Sequence, residues 1–300
     1  MEGKLSDLLG RAERVLERLE RLFPQHNAVD WKTTIAATWI HRSRNTAFHA
    51  VTDLDPIRLD DLLEIDRQRE AVVQNTAQFC AGLPANNVLL WGARGTGKSS
   101  LIHAVVNEFA DKGLRLVEVD KRSLSDIALL AEGLQNKPFR FLVVCDDLSF
   151  DANDSGFKEL KSSLEGTIFA TVSNVLIYIT SNRRHLVTEL AKENQQLQEQ
   201  DLHGAEAVEE KISLSDRFGL WLSFHPFDQD QYLRVVQHWL GFFSKQCDFS
   251  CVFDDEVRTN ALRWALNRGT RSGRTANHFA RAWISAKSLE RLTQSESLNT

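Results

Sequence analysis

The stretch Val88-Leu89-Leu90-Trp91-Gly92-Ala93-Arg94-Gly95-Thr96-Gly97-Lys98-Ser99-Ser100 decides the fold. A short apolar run ends at Gly92, a glycine-rich loop follows, and Lys98-Ser99 open a helical stretch running from Leu101 to Ala110. This is G-x-x-x-x-G-K-[ST] between a strand and a helix, the setting in which the motif works. Glycines let the backbone wrap closely around phosphate oxygens, and successive N–H groups then form an anion nest, helped by the positive end of the helix dipole. Gly92, Ala93, Arg94, Gly95, Thr96, Gly97, Lys98, Ser99 and Ser100 are therefore expected to bind a nucleoside triphosphate. Lys98 would reach the β- and γ-phosphates and the Ser99 hydroxyl would ligate Mg²⁺. The bland alternative, a glycine turn that only joins strand to helix, is outweighed by the motif falling in its required context.

Working outward, the chain from Asn87 alternates apolar strands with helical stretches, the signature of a parallel sheet. Strands are expected at Leu114–Val119, Phe141–Cys145, Val175–Thr180 and Leu220–Phe224, and helices at Ser125–Leu134 and 155–169. The strand Phe141-Leu142-Val143-Val144-Cys145 ends in Asp146-Asp147, as a Walker B element does. Asp146 would hold Mg²⁺ and Asp147 would orient and deprotonate the attacking water. The alternative is a pair of turn acids closing a strand; a phosphate loop upstream, which needs a metal carboxylate, argues against it. An acidic, glutamine-rich stretch from Glu189 to Glu210 interrupts the alternation and reads as a mobile insertion. After Pro226 the pattern turns all-helical, with helices near 228–243, 254–267 and 273–290.

Upstream, Leu5, Leu8, Leu9, Ala12, Val15, Leu16, Leu19, Leu22 and Phe23 give an amphipathic helix over 4–23, with Pro24 just past its end. It packs on its own domain or docks a partner; one apolar stripe does not say which. Trp31, Ile35 and Trp39 continue helical spacing and predict a second helix. Residues 44–60 read as a connector with a strand around Ala47–Val51, and Ile57–Asp66 leads into a helix reaching about Ala81.

The 300 residues are 42% hydrophobic and carry a net charge of −5, enough apolar content for a sizeable core and no electrostatic case for nucleic acid over the whole surface. No apolar run approaches the ~18 residues of a membrane span, and the N-terminus, charged from Glu2, has no signal-peptide core. A cytoplasmic protein without membrane contact is expected. Cys80, Cys145, Cys247 and Cys251 are scattered, lack zinc-knuckle spacing, and read as reduced thiols.

Taken together, Gly92–Ser99, Asp146-Asp147, Asn182, the box Ser215-Asp216-Arg217-Phe218-Gly219 and the run Gly269-Thr270-Arg271-Ser272-Gly273-Arg274 fall in the order of AAA+ ATPases. The resemblance covers about residues 55–290. The wording of Leu83–Ser100 and Ile212–Phe227 is similar to a bacterial family of AAA+ ATP-binding proteins defined only as a domain of unknown function. The resemblance implies an α/β fold: an AAA+ P-loop three-layer αβα parallel sheet over 53–227, a C-terminal helical lid over 228–300 and an N-terminal helical extension over 1–52. It implies ATP and Mg²⁺ as ligands and a homo-oligomer. By motif position, Asn182 matches sensor 1, which contacts the attacking water or the γ-phosphate. Arg217 matches the arginine finger that enters a neighbouring subunit's site. Arg271 or Arg274 matches sensor 2; Arg271 fits a G-x-R version and Arg274 sits at a helix start, and spacing does not choose between them. The segment Ile57–Ile65 stands where the superfamily places its adenine pocket. No client is implied.

The chain departs from the pattern in two places. Most AAA+ Walker B elements end Asp-Glu, and Asp147 is one methylene shorter, so either the water sits closer or turnover is slow. Where a threading machine carries an aromatic–hydrophobic–Gly pore loop, this chain has Asp120-Lys121-Arg122-Ser123-Leu124. Over 258–291 the basic residues Arg258, Arg263, Arg268, Arg271, Arg274, Arg281, Lys287 and Arg291 face Glu290 alone. Some would serve ATP, and the others could meet nucleic-acid phosphates, although a charge run is more often a solvated face. The leading reading is an ATP hydrolase that assembles and remodels an unidentified macromolecular partner. The rival is a slow ATP-gated switch or loader on DNA or a DNA-bound protein. A small-molecule kinase would have no need of an intersubunit arginine. Guanine nucleotides are disfavoured because Asn136-Lys137-Pro138-Phe139 lacks the Asp of N-K-x-D.

Overall fold

The computed structural model describes residues 29–42, 45–149, 172–182 and 217–298. The expected helices over 4–23 and 155–169 and the insertion over 189–210 lie outside the described residues. Among the described residues seven strands form one sheet: β1 (Ala36–Arg42), β2 (Asn45–Val51), β3 (Val88–Gly92), β4 (Leu114–Val119), β5 (Arg140–Cys145), β6 (Val175–Ser181) and β7 (Leu220–Phe224). Their order is β2-β1-β4-β5-β6-β3-β7, with every pairing parallel except the β1–β2 hairpin.

Alternate residues on the strands enter two separate apolar cores, because successive side chains of a strand point to opposite faces. Val88 and Leu90 of β3 pack on one face with Leu114, Leu116 and Tyr178, whereas Leu89 packs on the other with Val117, Val143, Ile177 and Ile179. Helices α1 (Asp66–Cys80) and α2 (Lys98–Phe109) cover the first face and α3 (Ile127–Leu134) the second. That is the three-layer αβα arrangement the motif order predicts.

The chain departs from expectation at its described start. Residues 36–42 are strand rather than helix, paired antiparallel with β2 and parallel with β4. A spacing of four is an even number, so it places residues on one face of a strand as well as of a helix. Ala37 and Trp39, two apart, are both buried in the same apolar core, while the adjacent Ala36 faces the opposite core. The predicted strand at Ala47–Val51 is the hairpin partner β2. Residues 36–42 and 45–51 are thus part of the sheet and not of a helical extension.

After β7 the described chain is helical: α4 (Gln229–Gln246), α5 (Asp255–Arg268) and α6 (Gly273–Leu298). Asp228 caps α4 by accepting the Gln231 N–H, and the Gln231 side chain accepts the Asp228 N–H in return. Asp254 caps α5 and Gly269, with φ +67°, closes it in the left-handed conformation that glycine tolerates. Among the described residues no helix is long and apolar enough to cross a membrane. All four cysteines are free thiols.

A candidate nucleotide site at the ends of three neighbouring strands

Strand order builds the site. β6 lies between β5 and β3, and all three run parallel, so their C-terminal ends emerge side by side. In open α/β sheets ligands bind at that carboxyl edge. The loop after β3, the acids after β5 and Asn182 after β6 therefore meet, although they are far apart in sequence.

Gly92 ends β3 with φ +134°, and a Cβ there would stand 2.0 Å from the Phe224 carbonyl oxygen. Only glycine lets β3 and β7 approach so closely at the root of the loop. The Ala93 N–H donates to the same Phe224 oxygen at 3.0 Å. Gly97, with φ +102°, turns the chain into α2.

Lys98 is 7% exposed, and its ammonium spends its donors on three acceptors: the carbonyls of Gly92 at 2.9 Å and Ala93 at 2.8 Å, and Asn182 Oδ1 at 3.1 Å. Burial pushes this ammonium below the usual lysine range, while the charges of Asp146 and Asp147 draw it back. Asn182 spans two of the expected residues, since its amide nitrogen donates to Asp147 Oδ1. The Ser99 hydroxyl donates to Asp146 Oδ1 at 2.6 Å. Asp147 takes a left-handed backbone, φ +52°, which turns it away from the direction of its neighbour. Arg94 Nη2 lies 3.5 Å from Asp147 Oδ2.

Thr180 is a residue the sequence reading misses. Its buried hydroxyl donates to Asp146 Oδ1 and accepts the Asp147 N–H at 2.9 Å, so one side chain fixes both acids. Its only sequence signal is a threonine next to the end of a mostly apolar strand.

These groups floor a cleft of about 1160 Å³. The loop residues Arg94–Ser100 line it, together with Asp146, Asp147, Thr180 and Asn182. Gly92 and Ala93 are not among the lining residues; they hold Lys98 from behind. One end is apolar, walled by Ile57, Leu62 and Ile65 from the segment before α1 and by Trp239 and Phe243 from α4. Arg274 lines the cleft and Arg271 does not. The Arg271 carbonyl instead accepts the Phe227 N–H at 3.1 Å, and the Arg274 N–H donates to the Gly95 carbonyl at 3.1 Å. Arg217 is exposed just before β7 and lies outside the lining of this chain's own cleft. The donor set suits the expected metal: a hydroxyl and a carboxylate oxygen, both hard ligands, already meet at Ser99 and Asp146. Among the described residues no group of three or more His, Cys, Asp or Glu forms a further metal cluster.

A family model described as "Protein of unknown function (DUF815)" matches residues 32–287. Among solved structures, the Aeropyrum pernix Orc1 protein in complex with DNA has a TM-score of 0.53 at 16% identity, covering 78% of this chain and 65% of that one. A point mutant of Thermotoga maritima RuvB has a TM-score of 0.50 at 15% identity, covering 79% and 73%. At such identities the likeness is one of fold, the AAA+ P-loop kind. In sequence, the chain is 31% identical over 78 residues to the replication factor C large subunit of Ignicoccus hospitalis, which is 25% of this chain and only 16% of that protein.

Proposed function

The chain belongs to the family described as protein of unknown function (DUF815), and for it we propose the activity of an assembling AAA+ ATP hydrolase that remodels a macromolecular partner. One observation carries the reading. A continuous hydrogen-bonded chain runs Ser99–Asp146–Thr180–Asp147–Asn182–Lys98 along the floor of the cleft. It joins the metal-binding pair, the general base, the water-contacting amide and the phosphate-binding lysine, which are the parts phosphoryl transfer to water requires.

In this reading the loop N–H groups and Lys98 bind the polyphosphate, and the apolar end takes the adenine. Mg²⁺, held by Ser99 and Asp146, would neutralise charge on the phosphates. Asp147 accepts the proton of a water whose oxygen bonds to the γ-phosphorus as the bond to the bridging oxygen breaks, giving ADP and phosphate. Asn182 aims that water. Arg274 binds phosphate from the lid. Arg217, outside its own chain's cleft, serves a neighbouring subunit, where an arginine of this kind is worth about 10³–10⁵ in rate.

The test is ATP turnover against protein concentration for wild type, Lys98→Ala, Asp147→Asn and Arg217→Ala. Turnover that rises cooperatively and is lost in all three variants, with Asp147→Asn and Arg217→Ala still binding ATP, is expected. Turnover per chain that is constant on dilution, or untouched by Arg217→Ala, would refute the assembled enzyme.

A second reading has support from the exposed arginines of α5 and the turn after it, Arg258, Arg263, Arg268 and Arg271. They suit an ATP-gated switch or loader on DNA or a DNA-bound protein. DNA-stimulated turnover that falls steeply with salt would favour it over a protein remodeller.

A further inference from the structure

Arg94 occupies a variable position of the phosphate loop, and its side chain is 76% exposed. It lines the same cleft as Lys98 and Arg274. Its guanidinium nevertheless faces a carboxylate: Nη2 is 3.5 Å from Asp147 Oδ2. The other oxygen of that carboxylate accepts from Asn182, and the Asp147 backbone N–H is tied to Thr180. Both oxygens of Asp147 are therefore engaged, Oδ1 by an amide and Oδ2 by a cation. The guanidinium thus holds the place beside Oδ2 that a water would otherwise take.

Resting on the ATPase reading, we propose that Arg94 is a positioning residue that restrains Asp147 until an arriving triphosphate draws it off. A polyphosphate seated in the nest brings several negative charges to the residues that line it, against the single charge of Asp147. The Arg94–Asp147 pair is weak enough to be outcompeted, since both side chains are more than half exposed and such pairs contribute little. The arginine side chain is long and free to swing. When it turns to phosphate, Asp147 Oδ2 is released at the moment a water has something to attack. The same exchange keeps the base occupied when no triphosphate is present.

The restraint makes Arg94 and Asp147 compete with ATP in a way that can be measured without turnover. In wild type the pairing with Asp147 competes with phosphate for Arg94; Asp147→Asn frees the arginine. Binding of Mg-ATPγS is measured by calorimetry for the full chain as wild type, Arg94→Ala, Asp147→Asn and the double variant, with Lys98→Ala as control. Asp147→Asn should tighten binding in every background, because it removes a negative charge beside the phosphates. The tightening should be about two- to fivefold larger with Arg94 present than with Arg94→Ala, the span expected for an exposed pair. Arg94→Lys, which keeps the charge, should restore part of that coupling. Additive effects would overturn the restraint while leaving the ATPase reading in place. Absence of Lys98-dependent nucleotide binding in wild type would remove both. Thermal unfolding of each variant confirms that the exposed substitutions leave the fold intact.

Discussion

The Glu64 carboxylate receives the Arg234 guanidinium in both oxygens, Nε to Oε1 at 2.6 Å and Nη2 to Oε2 at 2.9 Å. Glu64 stands before α1, between the cleft-lining Leu63 and Ile65, with a left-handed φ of +66°, and Arg234 belongs to α4. The fork-to-fork pair ties the segment that would hold the base to α4. Beside it, His238 Nε2 and Asp61 Oδ1 stand 3.4 Å apart across the same junction. The hydrogen bond from Arg234 holds the Glu64 carboxyl below its ordinary 4.5, against the opposing pull of burial. A carboxylate with a depressed folded-state pKa contributes stability above its unfolded value and loses it as pH falls through the folded one. The stability difference between wild type and Glu64→Gln, followed by urea unfolding, should be full at pH 7 and shrink as pH falls below 4.5.

Arg274→Ala should weaken ATP binding and Arg271→Ala should not. Arg274 lines the cleft, whereas Arg271 offers the protein its carbonyl, which any residue supplies. A lost charge-assisted contact to phosphate corresponds to about tenfold or more in Kd. Titration of both variants with nucleotide separates them.

Thr180→Val should lower turnover and raise the Mg²⁺ concentration required, by about 10- to 100-fold, as loss of a group that orients metal ligands does. Thr180→Ser should recover most of the loss because it keeps the hydroxyl that serves Asp146 and Asp147. The Mg²⁺ dependence of turnover distinguishes this from a packing defect, which the serine variant would worsen.

Lys98→Ala should destabilise the empty protein as well as abolish nucleotide binding. It removes a donor from the Gly92 carbonyl and from Asn182 Oδ1, whereas the Ala93 carbonyl keeps the Thr96 hydroxyl. Leaving such groups unpaired costs about 1–3 kcal/mol, which chemical denaturation in the absence of nucleotide would register.

The phosphate loop is legible because its chemistry needs neighbouring residues, and Asp146-Asp147 because the loop upstream gives a bare strand-end acid its meaning. Arg271 and Arg274 stay undivided in sequence, since only the packing of α6 on Gly95 brings one of them to the cleft. Thr180 is invisible for a related reason: it acts through the adjacency of β5 and β6, which spacing along the chain does not encode. Glu64 and Arg234 lie 170 residues apart, and nothing local distinguishes either from an ordinary surface charge. The misreading at 36–42 is of another kind. There the period itself is ambiguous, and the pairing of β1 with β4 settles it.

The hydrogen bond from the Arg274 N–H to the Gly95 carbonyl joins the first turn of the 26-residue helix α6 to the phosphate loop. At 1.5 Å per residue that helix is roughly 39 Å long. It is a lever whose short end rests on the loop that a triphosphate would fill. Rocking it by about 5° at Gly95 would sweep the far end, near Leu298, through roughly 3 Å by the same geometry. A change of one phosphate at the loop would thereby be delivered, enlarged, to whatever stands beside the end of the helix.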